Sequence, residues 1–145
     1  MIIVNIQKQI LKLYDGNNAC IAEYPISSAL KGLGEIKGSE QTPRGEHTIY
    51  AKYGDGAPPF SIFRGRVATG EIWSETFSDA DFILSRILWL TGPQTPLDRY
   101  IYIHGTHDEK MMGVPKSHGC IRMRNKDVID LFKRVSVGES VFIKE

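Results

Sequence analysis

Apolar and polar positions alternate with a period of two over most of the chain, which is the signature of half-buried strands. In "IIVNI", Ile2, Val4 and Ile6 share one face. In "ILKLY", Leu11 and Leu13 lie opposite Lys12, and "DGNN" (Asp15 to Asn18) marks a turn before a strand resumes from Cys20 to Ile26. The opening therefore predicts a β-meander. "KGLGEIKGSEQTPRGEH" is rich in glycine and polar residues and reads as a long loop. "HTIYAKY" predicts a strand, and "GDGAPPF" interrupts pairing because Pro58 and Pro59 lack N–H donors. The run "ILSRILWL" (Ile83 to Leu90) suits a buried strand or a short helix; its β-branched and aromatic content and the Gly92-Pro93 stop favour the strand. "RYIYIHG" (Arg99 to Gly105) predicts a strand with Tyr100, Tyr102 and His104 on one face and Ile101 and Ile103 on the other. One helix follows. Asn125 is its expected cap, Asp127 sits in its first turn, and Val128, Ile129, Leu131, Phe132 and Val135 form its apolar face. A turn and a last strand, "VGESVFIKE", close the chain.

The pattern predicts a mainly β domain with one main helix near the C-terminus. A length of 145 residues suits a single domain over residues 1–145, and neither an internal repeat nor a linker divides it. Hydrophobic residues make up 41% and charged residues 24%, as in an ordinary soluble protein. A formal charge of +1 argues against nucleic acid as a partner. No run approaches the roughly 18 apolar residues of a membrane span; the longest stretch is broken by Ser85 and Arg86. The start carries no basic leader and no cleavage signal, so a cytoplasmic location is expected if Met1 is the native start, and the periplasm or cell envelope otherwise. Cys20, in an apolar alternating run, is expected in the core.

Candidate chemistry gathers in "KSHGCIRMRN" (Lys116 to Asn125). A thiol becomes a nucleophile when a base or positive surroundings favour the thiolate, and histidine is the usual base. His104 ends a strand, where it is held rigidly, and can face Cys120 on a returning loop at hydrogen-bonding reach. Gly119 lets that loop turn tightly, so amide N–H groups near Cys120 can converge on an oxyanion. Arg122, two residues past the cysteine, can hold a carboxylate through two parallel bonds, whereas Arg124 reads as a solvated charge. Two other readings stay open. His104, His107, His118 and Cys120 are acceptable zinc donors, although their spacings are not usual ones, and no metal or other cofactor is expected. A buried structural cysteine beside solvent-facing histidines is the plainest alternative.

"SHGCIRM" (Ser117 to Met123), with "IHGT" (Ile103 to Thr106) upstream, resembles the catalytic-domain family of L,D-transpeptidases, enzymes of the bacterial cell wall. The likeness extends to "IVNIQKQILKLYDG", to "TPRGEHTI" (Thr42 to Ile49) and to the closing helix and strand, nearly the whole chain. The resemblance implies a β-sandwich or barrel-like fold of mixed sheets with the cysteine under a loop. It implies Cys120 as nucleophile, His104 as proton donor and acceptor, and the Gly105 carbonyl as the group that orients His104. His118 and Gly119, with Cys120, would supply oxyanion amides; Arg122 would contact the substrate carboxylate, and Ser117 and Tyr102 join it as substrate-binding candidates. The implied substrate is a peptidoglycan stem tetrapeptide or muropeptide, attacked at the carbonyl of its third residue with loss of terminal D-alanine. The acyl group would pass to an amine, a D-amino acid or water. Many members carry a leader and a wall-binding module and this sequence has neither, so water, and hence L,D-carboxypeptidase activity, is the expected outcome ahead of 3→3 cross-linking. A non-catalytic wall-binding domain and an unrelated Cys–His peptidase are the rival readings.

Overall fold

The computed structural model describes residues 1–76 and 81–145. Its strands are β1 (Ile2–Asn5), β2 (Ile10–Tyr14), β3 (Cys20–Ser27), β4 (Gly45–Tyr53), β5 (Ser61–Arg64), β6 (Val67–Ile72), β7 (Ile83–Thr91), β8 (Ile101–Gly105), β9 (Ile121–Met123) and β10 (Ser140–Lys144), with one helix, α1 (Asn125–Arg134), among the described residues. Their order is β4-β10-β1-β2-β3-β9-β8-β7, and β7 pairs back onto β4 to close a barrel. The β5–β6 hairpin hangs from β7 outside this ring. β1 with β10 and β8 with β9 are parallel pairs; the others are antiparallel. The mainly β fold with one helix near the C-terminus, among the described residues, is what the alternation predicts, and the barrel-like mixed sheet is what the resemblance implies.

Each inward face follows from its strand's alternation. Ile2, Val4, Leu11, Leu13, Leu88, Leu90, Ile101, Ile103, Ile121 and Met123 meet in one core. Val128, Leu131, Phe132 and Val135 bring the apolar face of α1 onto it, while Ile129 is only partly buried. β7 is apolar without alternation because both of its faces are covered: Leu88 and Leu90 join the barrel core, and Ile87 and Trp89 pack outside with Phe63 and Tyr102. That double burial explains why periodicity alone does not separate strand from helix there, and why composition had to favour the strand.

Three local expectations are corrected. Cys20 is exposed, because the first half of β3 runs beyond the barrel and burial begins only at Tyr24. Tyr100 is not in β8; a 3-10 turn at Leu97–Arg99 ends on Tyr100 in a left-handed conformation (φ 50°), and the strand starts one residue later. Asn125 is not the helix cap. Arg124 takes that place with extended backbone, and Asn125 is 1% exposed inside the first turn.

Asn125 instead ties three segments together. Its Oδ1 accepts the Ser85 hydroxyl of β7, its Nδ2 donates to Thr106 O at 2.8 Å, and its backbone N–H donates to Glu109 Oε2 at 2.8 Å. Ser85 itself has φ 71°, at the irregularity where the register of β7 on β8 shifts. A side chain on Gly105 would have its Cβ 2.6 Å from Asn125 Oδ1 and 2.7 Å from Leu84 O, so the end of β8 is held without slack. Replacing Asn125 by Leu leaves the Ser85 O–H without its acceptor, although Ser85 Oγ still accepts the Phe60 N–H, and leaves the buried Thr106 carbonyl without its Asn125 donor. Urea unfolding followed by tryptophan fluorescence should then give a loss of about 2–4 kcal/mol, with a smaller loss for Ser85→Ala. An unchanged unfolding midpoint in Asn125→Leu would mean that these bonds do not hold the strand end.

Candidate active site

The parallel register of β8 on β9 assembles the site. Ile103 pairs with Ile121 and His104 with Arg122. Paired residues of adjacent strands share a face, so Ile101, Ile103, Ile121 and Met123 enter the barrel while Tyr102, His104 and Arg122 face outward. Cys120, at the start of β9, falls beside Tyr102. Its Sγ accepts the Tyr102 N–H at 3.3 Å and reaches Tyr100 O at 3.5 Å. His104 is 2% exposed, and its Nδ1 lies 2.7 Å from Gly105 O. A carbonyl can only accept, so that contact puts the ring proton on Nδ1 and leaves the Nε2 lone pair free. The direct sulfur–histidine hydrogen bond expected from sequence is not formed. Among the described residues the sulfur's hydrogen bonds go to the backbone of residues 100 and 102, one step along the same face from His104. Such contacts are commonly loose before substrate arrives.

The loop before Cys120 is zipped onto the end of β3. Lys116 and Ser117 both donate to Ser28 O at 2.9 Å, Leu30 N donates to Ser117 O at 3.0 Å, and the Ser27 hydroxyl donates to Val114 O at 2.6 Å. Thr42 adds a second clamp: its hydroxyl accepts from Ala29 N and donates to Gly119 O at 2.9 Å. Gln9 holds Ser28 from behind through Nε2 to the hydroxyl and Oε1 to the backbone N–H. Gly119 has φ 133°, a conformation that a side chain would strain.

Several of the expected roles meet a different geometry. Ser117 is 2% exposed, and its hydroxyl donates to Cys120 O and accepts the Gly119 N–H at 3.2 Å. It is therefore an internal strut of the loop and offers substrate no free hydroxyl. The same bond already engages the Gly119 N–H that was expected to face an oxyanion. Arg122 is 6% exposed and its Nη2 donates to Asp81 Oδ1 at 2.7 Å, so its charge is already met by a carboxylate, while its buried Nε has no partner among the described residues. His118 is exposed and its Nδ1 lies 3.2 Å from Asp81 Oδ2. Tyr102 presents its hydroxyl to Arg66 at 2.9 Å. His107 lies apart, its ring against Trp73 and Phe82, and no group of three or more metal-ligating side chains forms among the described residues.

Asp81 is the residue that sequence reading missed. It lies in "SDADF", which has no feature to single it out, and only the fold brings it to Arg122 and His118. Burial alone would raise its carboxyl, but Arg122, His104 and His118 hold it below the ordinary value. Burial pushes the Cys120 thiol up to about 11; the Tyr102 N–H and the Arg122 and Arg99 cations act against that rise, and Asp81 adds to it. Burial also pushes His104 below the ordinary histidine value, with the Gly105 carbonyl and Asp81 opposing and Arg122 adding to the fall. At neutral pH the resting pair is therefore a thiol and a neutral imidazole.

A model of the L,D-transpeptidase catalytic domain family (YkuD) matches residues 1–143. Among proteins named as L,D-transpeptidases, the chain is 29% identical over 143 residues to YkuD of Bacillus licheniformis, covering 98% of this chain and 64% of that one. It is 44% identical over 62 residues to YbiS of Escherichia coli, covering 37% of this chain and 20% of that one. The chain thus spans less than two thirds of these relatives. Among solved structures, an L,D-transpeptidase from Xylanimonas cellulosilytica superposes with a TM-score of 0.65 at 20% identity, over 99% of this chain and 59% of that one. One from Mycobacterium smegmatis gives 0.61 at 19% identity, over 99% and 58%. These two share the fold.

The neutral resting pair has a measurable consequence. In a Cys20→Ser background, alkylation of Cys120 by iodoacetamide should be slow at pH 7 and should keep rising past pH 9, towards about 11. Asp81→Asn should move that curve to lower pH, because the carboxylate disfavours the thiolate. A rate that levels off near pH 7 would instead mean a preformed thiolate–imidazolium pair.

Proposed function

The chain belongs to the L,D-transpeptidase catalytic-domain family, matched over residues 1–143, and we propose that it is a cysteine acyltransferase acting on peptidoglycan stem peptides. The observation that carries this reading is the β8–β9 register, which sets Cys120 beside Tyr102 and His104 one step further along the same face. Cys120 is the proposed nucleophile. As its sulfur attacks the carbonyl of the third stem residue, the thiol proton passes to His104 Nε2 and the carbonyl electrons move to oxygen. The backbone N–H groups of His118 and Cys120 are the proposed oxyanion donors, with Gly119 held in its turn by Ser117. Collapse expels the terminal D-alanine, whose amine takes the proton back from His104 and leaves a thioester on Cys120. Asp81 favours the imidazolium that exists during the transfer. Arg122 fixes Asp81 through their ion pair and thereby acts as a positioning residue.

Water is the proposed acceptor, which makes the activity that of an L,D-carboxypeptidase. An incoming amine arrives as an ammonium and needs an anionic seat. Asp81, the carboxylate found at this site among the described residues, is already engaged by Arg122 and His118. The second reading, 3→3 cross-linking, is favoured if Asp81 exchanges His118 for that ammonium. No helix among the described residues is long and apolar enough to cross a membrane.

Mass spectrometry of the products of a purified tetrapeptide stem, with and without an amine acceptor, tests both points. Tripeptide and free D-alanine should dominate even with amine present, and mostly dimeric product would remove the carboxypeptidase reading. Cys120→Ala should keep the fold and lose turnover by about 10⁴-fold or more. His104→Ala should lose about 10²–10⁴-fold. A folded Cys120→Ala protein with normal turnover would exclude the mechanism, and an active His104→Ala beside a dead His118→Ala would reverse the assignment of the base.

A further inference from the structure

We infer that Arg66 receives a carboxylate of the stem peptide on an aromatic shelf beside Cys120; this rests on the function proposed above. Arg66 stands at the tip of the β5–β6 hairpin, in a left-handed conformation (φ 65°) that turns the hairpin tightly. Its Nη1 donates to the Tyr102 hydroxyl at 2.9 Å. Its guanidinium lies 4.5 Å over the Trp89 ring and 5.7 Å from the Tyr100 ring. Trp89 stacks on Tyr100 and meets Tyr102 edge to face, so the three rings form one surface. The backbone of Tyr102 donates to the Cys120 sulfur. Arg66 is therefore separated from the sulfur by the length of one tyrosine.

The chemistry of the neighbouring arginines points the same way. The charge of Arg122 is met by Asp81. Arg99 gives Nη1 to Glu35 O at 2.6 Å and Nη2 to Gln41 O at 2.8 Å, bonds that brace the loop between β3 and β4. Arg66 rests on aromatic faces and a phenol, and among the described residues no carboxylate pairs with it. A guanidinium over aromatic rings has its charge attracted but not neutralised, and apart from Nη1 its N–H donors have no partner among the described residues. Beneath it, Trp89 Nε1 is a buried donor with no acceptor among the described residues. A carboxylate reaching this shelf meets a cation whose charge no carboxylate among the described residues already balances. Two stem carboxylates can supply it: the terminal one on the leaving D-alanine and one on the side chain of a third-position diamino acid.

The test compares wild type, Arg66→Gln and Arg66→Lys on three tetrapeptides: unmodified, amidated at the C-terminus, and amidated on the diamino-acid side chain. On the unmodified peptide Arg66→Gln should lose about 10–100-fold in kcat/KM, mainly through KM, and Arg66→Lys should recover part of it. Amidation of the carboxylate that Arg66 holds should bring wild type down to Arg66→Gln and leave that variant unchanged, and the amide that does so identifies the carboxylate. Arg66→Gln within about 2-fold of wild type on the unmodified peptide, or an equal loss on all three peptides, would overturn the inference alone. Absence of turnover by wild type on every peptide would overturn the proposed function and this inference with it.

Discussion

The parallel pairing of β8 with β9 is the constraint on which the site depends. Its inner residues, Ile101, Ile103, Ile121 and Met123, are essentially buried in the barrel core. The outer row of the same two strands carries Tyr102, His104 and Arg122, with Cys120 at its edge. Side chains alternate, so a slip of one residue on either strand would move its chemical row into the core and its apolar row outward. The hydrophobic energy of the inner face therefore enforces the spacing of the outer one. No separate force is needed to align the sulfur's strand with that of the histidine.

What the pairing does not control is the loop that delivers Cys120, and here buried polar groups do the holding. A backbone that leaves the sheet under cover must still satisfy its N–H and C=O groups. Ser28 O takes two N–H donors, Thr42 caps Gly119 O, and Ser117 closes the turn on itself. The Ser28 carbonyl and the Thr42 hydroxyl, both from far back in the sequence, thus serve one loop together with its own Ser117. The same enclosure explains the electrostatics. A half-buried sulfur under this loop resists ionisation and the buried His104 resists charging, so the proposed proton transfer runs between neutral partners and creates its charges only as the substrate is attacked.

The fold was legible to the extent that strands reveal themselves by alternation. β1 and β2 each have one apolar row facing one core, and their sequences say so. β7, buried on both faces, loses its period, and only its composition favoured a strand. Cys20 misled because its alternating run continues past the edge of the barrel, where no core remains to meet it. Asn125 misled because a helix-capping residue type was placed one position inside the helix, where its amide serves β7 and the loop after β8. Within the candidate site, Cys120 and His104 were legible because their residue types suit one chemistry and their neighbours resemble a family. Asp81 and Arg66 were not. Each matters through a contact distant in sequence, Asp81 with Arg122 over 41 residues and Arg66 with Tyr102 over 36.

The arginines around the site show how one residue type is divided among tasks by its partners. Arg99 is surrounded by carbonyls and braces a loop. Arg122, beside the cysteine in sequence, is nearly buried, and a charge there stands only because Asp81 accompanies it. A substrate carboxylate arriving at Arg122 would meet a cation whose charge Asp81 already balances, although its Nε is still without a partner among the described residues. Arg66 has no such balance among the described residues, since the rings beneath it are polarisable surface and not a competing anion. Proximity in sequence picks out Arg122, and the balance of charges picks out Arg66. The hairpin that carries Arg66 lies outside the closed ring of strands, so substrate recognition can change there without disturbing the register that holds the reacting groups.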